Sequence, residues 1–152
     1  VATAKGQLIH YNIELKSELA LEGVYHPEVA VFCQVAYQAI KDQVDWRRIT
    51  IQSFDFRILR YFNKYYPEVQ LALLIENELS WDLNIDSLGF KPEIYSCDYA
   101  LLSAETISEL QEKNMKVIPW TVNDSLDMQQ LIHWGVNGLI TDYPNIALEI
   151  LN

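Results

Sequence analysis

The chain has 152 residues, half of them hydrophobic (50%), which suits one domain spanning 1–152 with a sizeable core. Its 21 acidic residues against 11 Lys and Arg give a net charge of −10, which argues against nucleic acid and against anionic membrane surfaces as partners. A small phosphate-bearing substrate stays open, because a divalent cation inverts local charge.

In chain order, Leu8 to Lys16 reads as a strand, with Asn12, Glu14 and Lys16 on one face and Ile13 and Leu15 on the other. Pro27 to Val44 reads as a helix, since Val31, Val35, Ala39, Ile40 and Val44 recur at helical spacing. Pro27 suits its first turn. Arg48 to Phe54 is the next strand, and Asp55 is placed to cap a helix through Ile58, Leu59, Phe62 and Tyr65 that stops at Pro67. Leu71 to Glu76 has the unbroken apolar run of a buried strand. A short helix or loop containing Asp86 to Phe90 follows, then a weaker strand from Glu93 to Cys97. Ser103 begins a helix through Ile107 and Leu110, and Lys116 to Val122 reads as a strand despite Pro119. Asp124 or Ser125 caps a helix through Met128, Leu131 and Ile132. Gly135 to Thr141 holds a last strand, and Pro144 opens a terminal helix.

From Phe54 onward the strand ends fall near Glu76, Tyr99, Asn123 and Asp142, gaps of about 20–25 residues that fit one βα unit each. Strands alternating with helices, each with a polar C-terminal tip, describe a parallel α/β sheet or barrel whose site lies at those tips. About six βα units are present where a closed barrel needs eight over typically ~250 residues. Either the sheet is open or two units are missing, and the start at Val1 without an initiator Met favours the second. Localisation is unknown on the same ground. No apolar run approaches transmembrane length. Cys33 and Cys97, far apart in sequence, read as buried free thiols.

Four segments resemble the successive signatures of the glycerophosphodiester phosphodiesterases. They are Asn12-Ile13-Glu14-Leu15-Lys16-Ser17, Ile51-Gln52-Ser53-Phe54-Asp55, Pro119-Trp120-Thr121-Val122-Asn123, and the run from Gly135 to Pro144. They occur in order, at βα spacing, across essentially the whole chain. The resemblance implies a TIM-type (β/α)8 barrel, here incomplete with its first two units missing. It implies hydrolysis of glycerophosphodiesters to glycerol 3-phosphate and an alcohol, with Ca²⁺ or Mg²⁺ as cofactor. It begins at the family's third strand. The family's opening His-Arg pair, its Pro-Glu-Asn segment, its Glu-x-Asp metal ligands and its second catalytic His have no counterpart here.

By the same resemblance Glu14 is the third-strand metal ligand; a carboxylate inside an apolar strand needs a partner or a cation. A salt bridge to Lys16 or to a neighbouring strand is the structural alternative. Lys16, on the same face, can hold a phosphoryl oxygen and offset developing charge, and is the catalytic candidate; otherwise it is a solvated strand-end lysine. Trp120 can wall a glycerol moiety at the barrel mouth or simply pack in the core. Gln52 and Phe54 share a face and could line that mouth, as could Glu76 at its strand end. Asp142 reads as a cap for the last helix and Asn123 as an organiser of its loop. His10, His26 and His133 match no catalytic position of the family.

The reading is thus a glycerophosphodiester hydrolase, carried by this chain as part of a longer enzyme and inactive alone. The alternative is a non-catalytic shortened barrel that binds a phosphodiester or a protein partner. The expected partner is a small glycerophosphodiester, and exposed barrel edges make self-association plausible.

Overall fold

We describe a computed structural model of the chain, which covers residues 3, 4 and 7–151, residues 3, 4, 7 and 8 by backbone alone. The N-terminal residues on which the reading of a missing start rests fall mostly outside the described set. Strands β1 (Thr3–Ala4) and β2 (Gln7–Leu8) form a two-residue antiparallel pair. The parallel strands are β3 (Tyr11–Glu14), β4 (Ile49–Ser53), β5 (Gln70–Ile75), β6 (Ile94–Cys97) and β7 (Lys116–Val117), neighbours in chain order. Helices α1 (Val29–Ile40), α2 (Phe56–Tyr65), α3 (Trp81–Leu88), α4 (Ala104–Glu112) and α5 (Ser125–His133) alternate with them, and α6 (Pro144–Ile150) follows. This is the βα alternation of an incomplete TIM-type barrel.

The chain divides into two compact units, the first Val1–Leu73 with Leu88–Phe90, the second Leu74–Ser87 with Lys91–Asn152. In the first, β3 pairs with β4 in the register Ile13↔Ile51 and Glu14↔Gln52, and β4 pairs with β5 in the register Ile51↔Leu71 and Gln52↔Ala72. Partners in a parallel ladder share a face. Ile51 and Leu71 therefore lie on the apolar face, with Ile58, Leu59 and Phe62 of α2 also buried. Asn12, Glu14 and Gln52 lie on the other. Asp55 caps α2 as its spacing predicts, its side chain accepting the Arg57 backbone N–H.

In the second unit β6 pairs with β7 through Ile94↔Lys116 and Tyr95↔Val117, and a single further bridge joins Asp98 to Trp120. Ser103 and Asp124 cap α4 and α5. Gly135, just past α5, sits at φ +89°, a left-handed position that stops the helix without a Cβ penalty.

Four expectations are corrected. The first strand is shorter than 8–16: residues 7 and 8 pair antiparallel to residues 3 and 4, and β3 covers only Tyr11–Glu14. The regular strand expected over 116–122 covers only Lys116–Val117, although the Ile118 and Trp120 N–H groups still donate to Tyr95 O and Cys97 O of β6. Pro119, which has no N–H, faces the opposite side, where it leaves the ladder to 135–141 incomplete. The strand expected over 135–141 does not form. Its segment runs beside 117–122 through isolated bonds, Asn137 N–H to Val117 O, Val122 N–H to Ile140 O and Ile140 N–H to Pro119 O. Finally, α1 does not bury the expected valines: Val31 is 47% and Val35 59% exposed, while Cys33 is fully buried. The helix is apolar nearly all round, so periodicity alone does not say which stripe faces inward.

Candidate functional site

In the first unit the candidate residues sit at the C-terminal end of β3 and β4. Glu14 is the last residue of β3, and its ladder partner Gln52 is nearly buried (9% exposed). The Asn12 side-chain amide donates to Gln52 Oε1 at 2.8 Å, which orients the glutamine. Lys16 Nζ lies 3.6 Å from a Glu14 carboxylate oxygen, so the salt bridge anticipated as an alternative is formed. The lysine side chain is 81% exposed and the glutamate 25%. A pair so wet is weak, and either member can turn to a ligand at small cost. Phe54 is 40% exposed just beyond β4, on the rim of a shallow groove of about 370 Å³ lined also by Ser17, Leu19, Phe56 and Arg57.

Behind that groove lies a polar network that sequence reasoning did not find. Asp55 accepts from the Ser17 hydroxyl at 2.7 Å and from two guanidinium nitrogens of Arg57 at 2.6 and 3.0 Å. The third arm of Arg57 reaches Glu22 at 2.6 Å. Burial pushes the Asp55 carboxyl up, but the hydrogen bonds from Arg57 and Ser17 outweigh it and hold the group below the usual carboxylate range. Arg57 is correspondingly raised, first by its bond to Asp55. The Asp55 cap was the legible half of this network; Glu22, 35 positions from Arg57, left no signal in the sequence.

In the second unit Trp120 bridges to Asp98, with its indole N–H donating to Ser96 O at 2.9 Å. That carbonyl bond fixes the ring on a partly exposed position rather than in the buried core. Glu76 follows β5 directly and is exposed. Asn123 does organise its loop: its carbonyl oxygen accepts from the Asp142 N–H at 3.0 Å, and its amide donates to the Asp142 carboxylate at 2.9 Å. Asp142 is therefore engaged with Asn123 and does not cap α6, whose N-cap is Tyr143 without a side-chain bond. A larger cavity of about 500 Å³, lined by Trp81, Tyr95, Cys97, Leu102 and Glu109, lies on the helix side of β6.

As a metal site the arrangement is incomplete. Glu14 offers the hard oxygen that Ca²⁺ or Mg²⁺ prefers, but among the described residues no group of three His, Cys, Asp or Glu side chains could hold an ion. Glu14 alone does not fit a resident cation. Among the described residues no helix is long and apolar enough to cross a membrane.

Comparison with known proteins gives consistent results. The profile of the glycerophosphoryl diester phosphodiesterase family matches residues 1–146. A glycerophosphodiester phosphodiesterase of Caldanaerobacter subterraneus subsp. tengcongensis is 29% identical over 144 residues, 92% of this chain and 54% of that protein. A Silicibacter pomeroyi structure assigned to the glycerophosphoryl diester phosphodiesterases superposes with a TM-score of 0.80 at 22% identity, over 93% of this chain and 50% of the other. A phosphodiesterase of Oleispira antarctica, solved with its product sn-glycerol-3-phosphate, gives 0.78 at 17% identity, over 93% and 55%. At such identities the two structures speak for the fold. The chain spans about half the length of the curated relatives it matches.

Proposed function

Because the chain belongs to the glycerophosphoryl diester phosphodiesterase family, we propose that it works as part of a longer, metal-dependent enzyme hydrolysing glycerophosphodiesters to glycerol 3-phosphate and an alcohol. The observation that carries this reading is the strand-end pair Glu14–Lys16 on the Gln52 face of β3, beside the exposed ring of Phe54. Lys16 is the proposed catalytic and phosphoryl-binding residue, its ammonium matched to an anionic oxygen. Gln52, held by Asn12, supplies a polar contact, and Phe54 an apolar one for the glycerol or alcohol moiety. Trp120 and Glu76 are proposed as further substrate contacts. Glu14 would give one oxygen to a Ca²⁺ or Mg²⁺ site completed by residues outside this chain. The product bound in the Oleispira antarctica structure supports the substrate class.

General acid–base catalysis typically contributes ~10²–10⁴-fold, and no histidine here stands at the strand-end pair to supply it. We therefore infer that the chain by itself is not a competent catalyst. The test is release of glycerol 3-phosphate from glycerophosphocholine by purified chain of verified mass, with Ca²⁺ or Mg²⁺ added. The expected result is no sustained turnover. Turnover abolished by chelator would overturn the view that the chain needs further residues. Self-association through sheet edges is a further proposal, read out by sedimentation at several concentrations.

A further inference from the structure

Lys16 hangs on a short stretch of backbone that is tied down on both sides. On one side the Leu15 N–H donates to Gln52 O at 2.9 Å, and the Ser53 hydroxyl donates to Leu15 O at 2.7 Å. On the other, the Ser17 hydroxyl donates to Asp55 at 2.7 Å. Both anchors belong to the end of β4 and the start of α2. The second depends on Asp55 keeping one orientation, and Arg57 fixes it. Its Nε and Nη2 hold the two carboxylate oxygens, and Nη1 continues to Glu22 in the loop after Lys16. The Arg57 side chain is 33% exposed, and those of Asp55 and Glu22 are 10% and 21%, so the bridge is partly desolvated and removing one partner leaves the others' charge uncompensated. That loop closes on itself, with Gly23 N–H donating to His26 O at 2.8 Å. One guanidinium thus spans the cap of α2 and the loop that follows the phosphoryl-binding lysine.

We infer that Arg57 is a positioning residue for phosphodiester binding: its simultaneous bonds to Asp55 and Glu22 hold the segment Lys16–Glu22 so that Lys16 is presented to the phosphoryl group. This rests on the phosphodiester reading above. The planar fork of Arg57 has a geometry that lysine, a single point donor, does not reproduce.

The test uses the full 152-residue chain and sn-glycerol 3-phosphate as probe, titrated under ³¹P NMR. Arg57→Gln, Arg57→Lys and Glu22→Gln are compared with wild type, alongside amide hydrogen exchange and melting curves. Glu22→Gln leaves the Asp55 cap and its Arg57 pair intact and so isolates the bridge. The expected result is affinity about 10-fold weaker for Arg57→Gln and Arg57→Lys, and several-fold weaker for Glu22→Gln, against a charged hydrogen-bond network of this kind. Exchange should quicken in residues 16–26, with protection in β4 and β5 unchanged. Wild-type affinity in Arg57→Gln, or exchange quickening uniformly across the chain, overturns the proposal; in the first case the phosphodiester reading survives. If Arg57→Gln fails to fold, Glu22→Gln decides by the same criteria. A different failure is wild type itself not binding glycerol 3-phosphate: this chain then presents no phosphoryl site for Arg57 to position, and the proposal falls, while the reading of the chain as part of a longer enzyme is judged by turnover of that enzyme.

Discussion

Removing the Lys16 ammonium separates function from stability with unusual clarity. At 3.6 Å from Glu14, the pair gains about 1 kcal/mol by Coulomb's law in water. With the lysine side chain 81% exposed, salt and side-chain entropy reduce that to roughly 0–1 kcal/mol. A chain of this size loses about 2–4 °C of Tm per kcal/mol, so Lys16→Ala should lower Tm by less than about 4 °C. A hydrogen bond from an ammonium to a phosphoryl oxygen is worth about 1.5–3 kcal/mol, and each 1.4 kcal/mol is about tenfold in affinity. Lys16→Ala should therefore weaken glycerol 3-phosphate binding by about 10- to 100-fold in a chain that melts almost as wild type does. Differential scanning fluorimetry and the ³¹P titration give both numbers on one preparation. Unchanged affinity would remove Lys16 from the site. A Tm loss well beyond 4 °C would show that the pair is structural and that its exposure misled the reasoning.

Three other outcomes follow from the same geometry. In a full-length enzyme Glu14→Gln should weaken metal binding and lower turnover by orders of magnitude; near-wild-type activity would exclude Glu14 from the metal site. The Asp55 carboxyl lies below its usual range in the folded chain, so the stability it contributes is present above the unfolded value of about 4 and is lost as pH falls through the folded one. The Tm gap between wild type and Asp55→Asn should accordingly be full at pH 7 and shrink below about pH 4; a gap independent of pH would refute the assignment. Phe62 is fully buried, with its ring 5.4 Å from that of Tyr66, and Phe62→Ala should cost about 3–5 kcal/mol by urea unfolding.

The features legible in the sequence were those set by neighbours in the chain. Asp55 was readable as a cap, Ser103 as a helix start and Asp124 or Ser125 as a cap, because capping acts over two or three residues; the structure gives the caps to Asp55, Ser103 and Asp124. The strands β4, β5 and β6 were readable because their apolar runs are bounded by polar tips, and their boundaries came within a residue or so. What failed depended on distant partners. The segment 135–141 has strand-like residues, but its neighbour contains Pro119, which cannot complete a ladder. Val31 and Val35 have the helical spacing of core residues, yet the face of α1 that turns inward is chosen by what packs on it. The site showed the same division. Strand alternation put Glu14 and Lys16 on one face, the family resemblance gave Glu14 its proposed role, and the Glu14–Lys16 contact was one of the arrangements weighed against it. The Arg57 bridge to Glu22 joins two loops with no pattern in common, and only the folded chain reveals it.

The two cysteines have a practical consequence. Cys33 lies in the first unit and is fully buried; Cys97 lies in the second and is 1% exposed. Burial pushes both thiols up to about 12, so at neutral pH neither presents an appreciable thiolate to a reagent while its surroundings stay closed. Each sulfur is then a clock for the opening of its own half. Under conditions where closing outruns labelling, the rate at which a maleimide or disulfide reagent captures each thiol measures the free energy of the motion that exposes it. Mass spectrometry of the two labelled peptides would read those free energies separately, from the native sequence. Equal rates would mean that the halves open together; unequal ones would name the half that yields first.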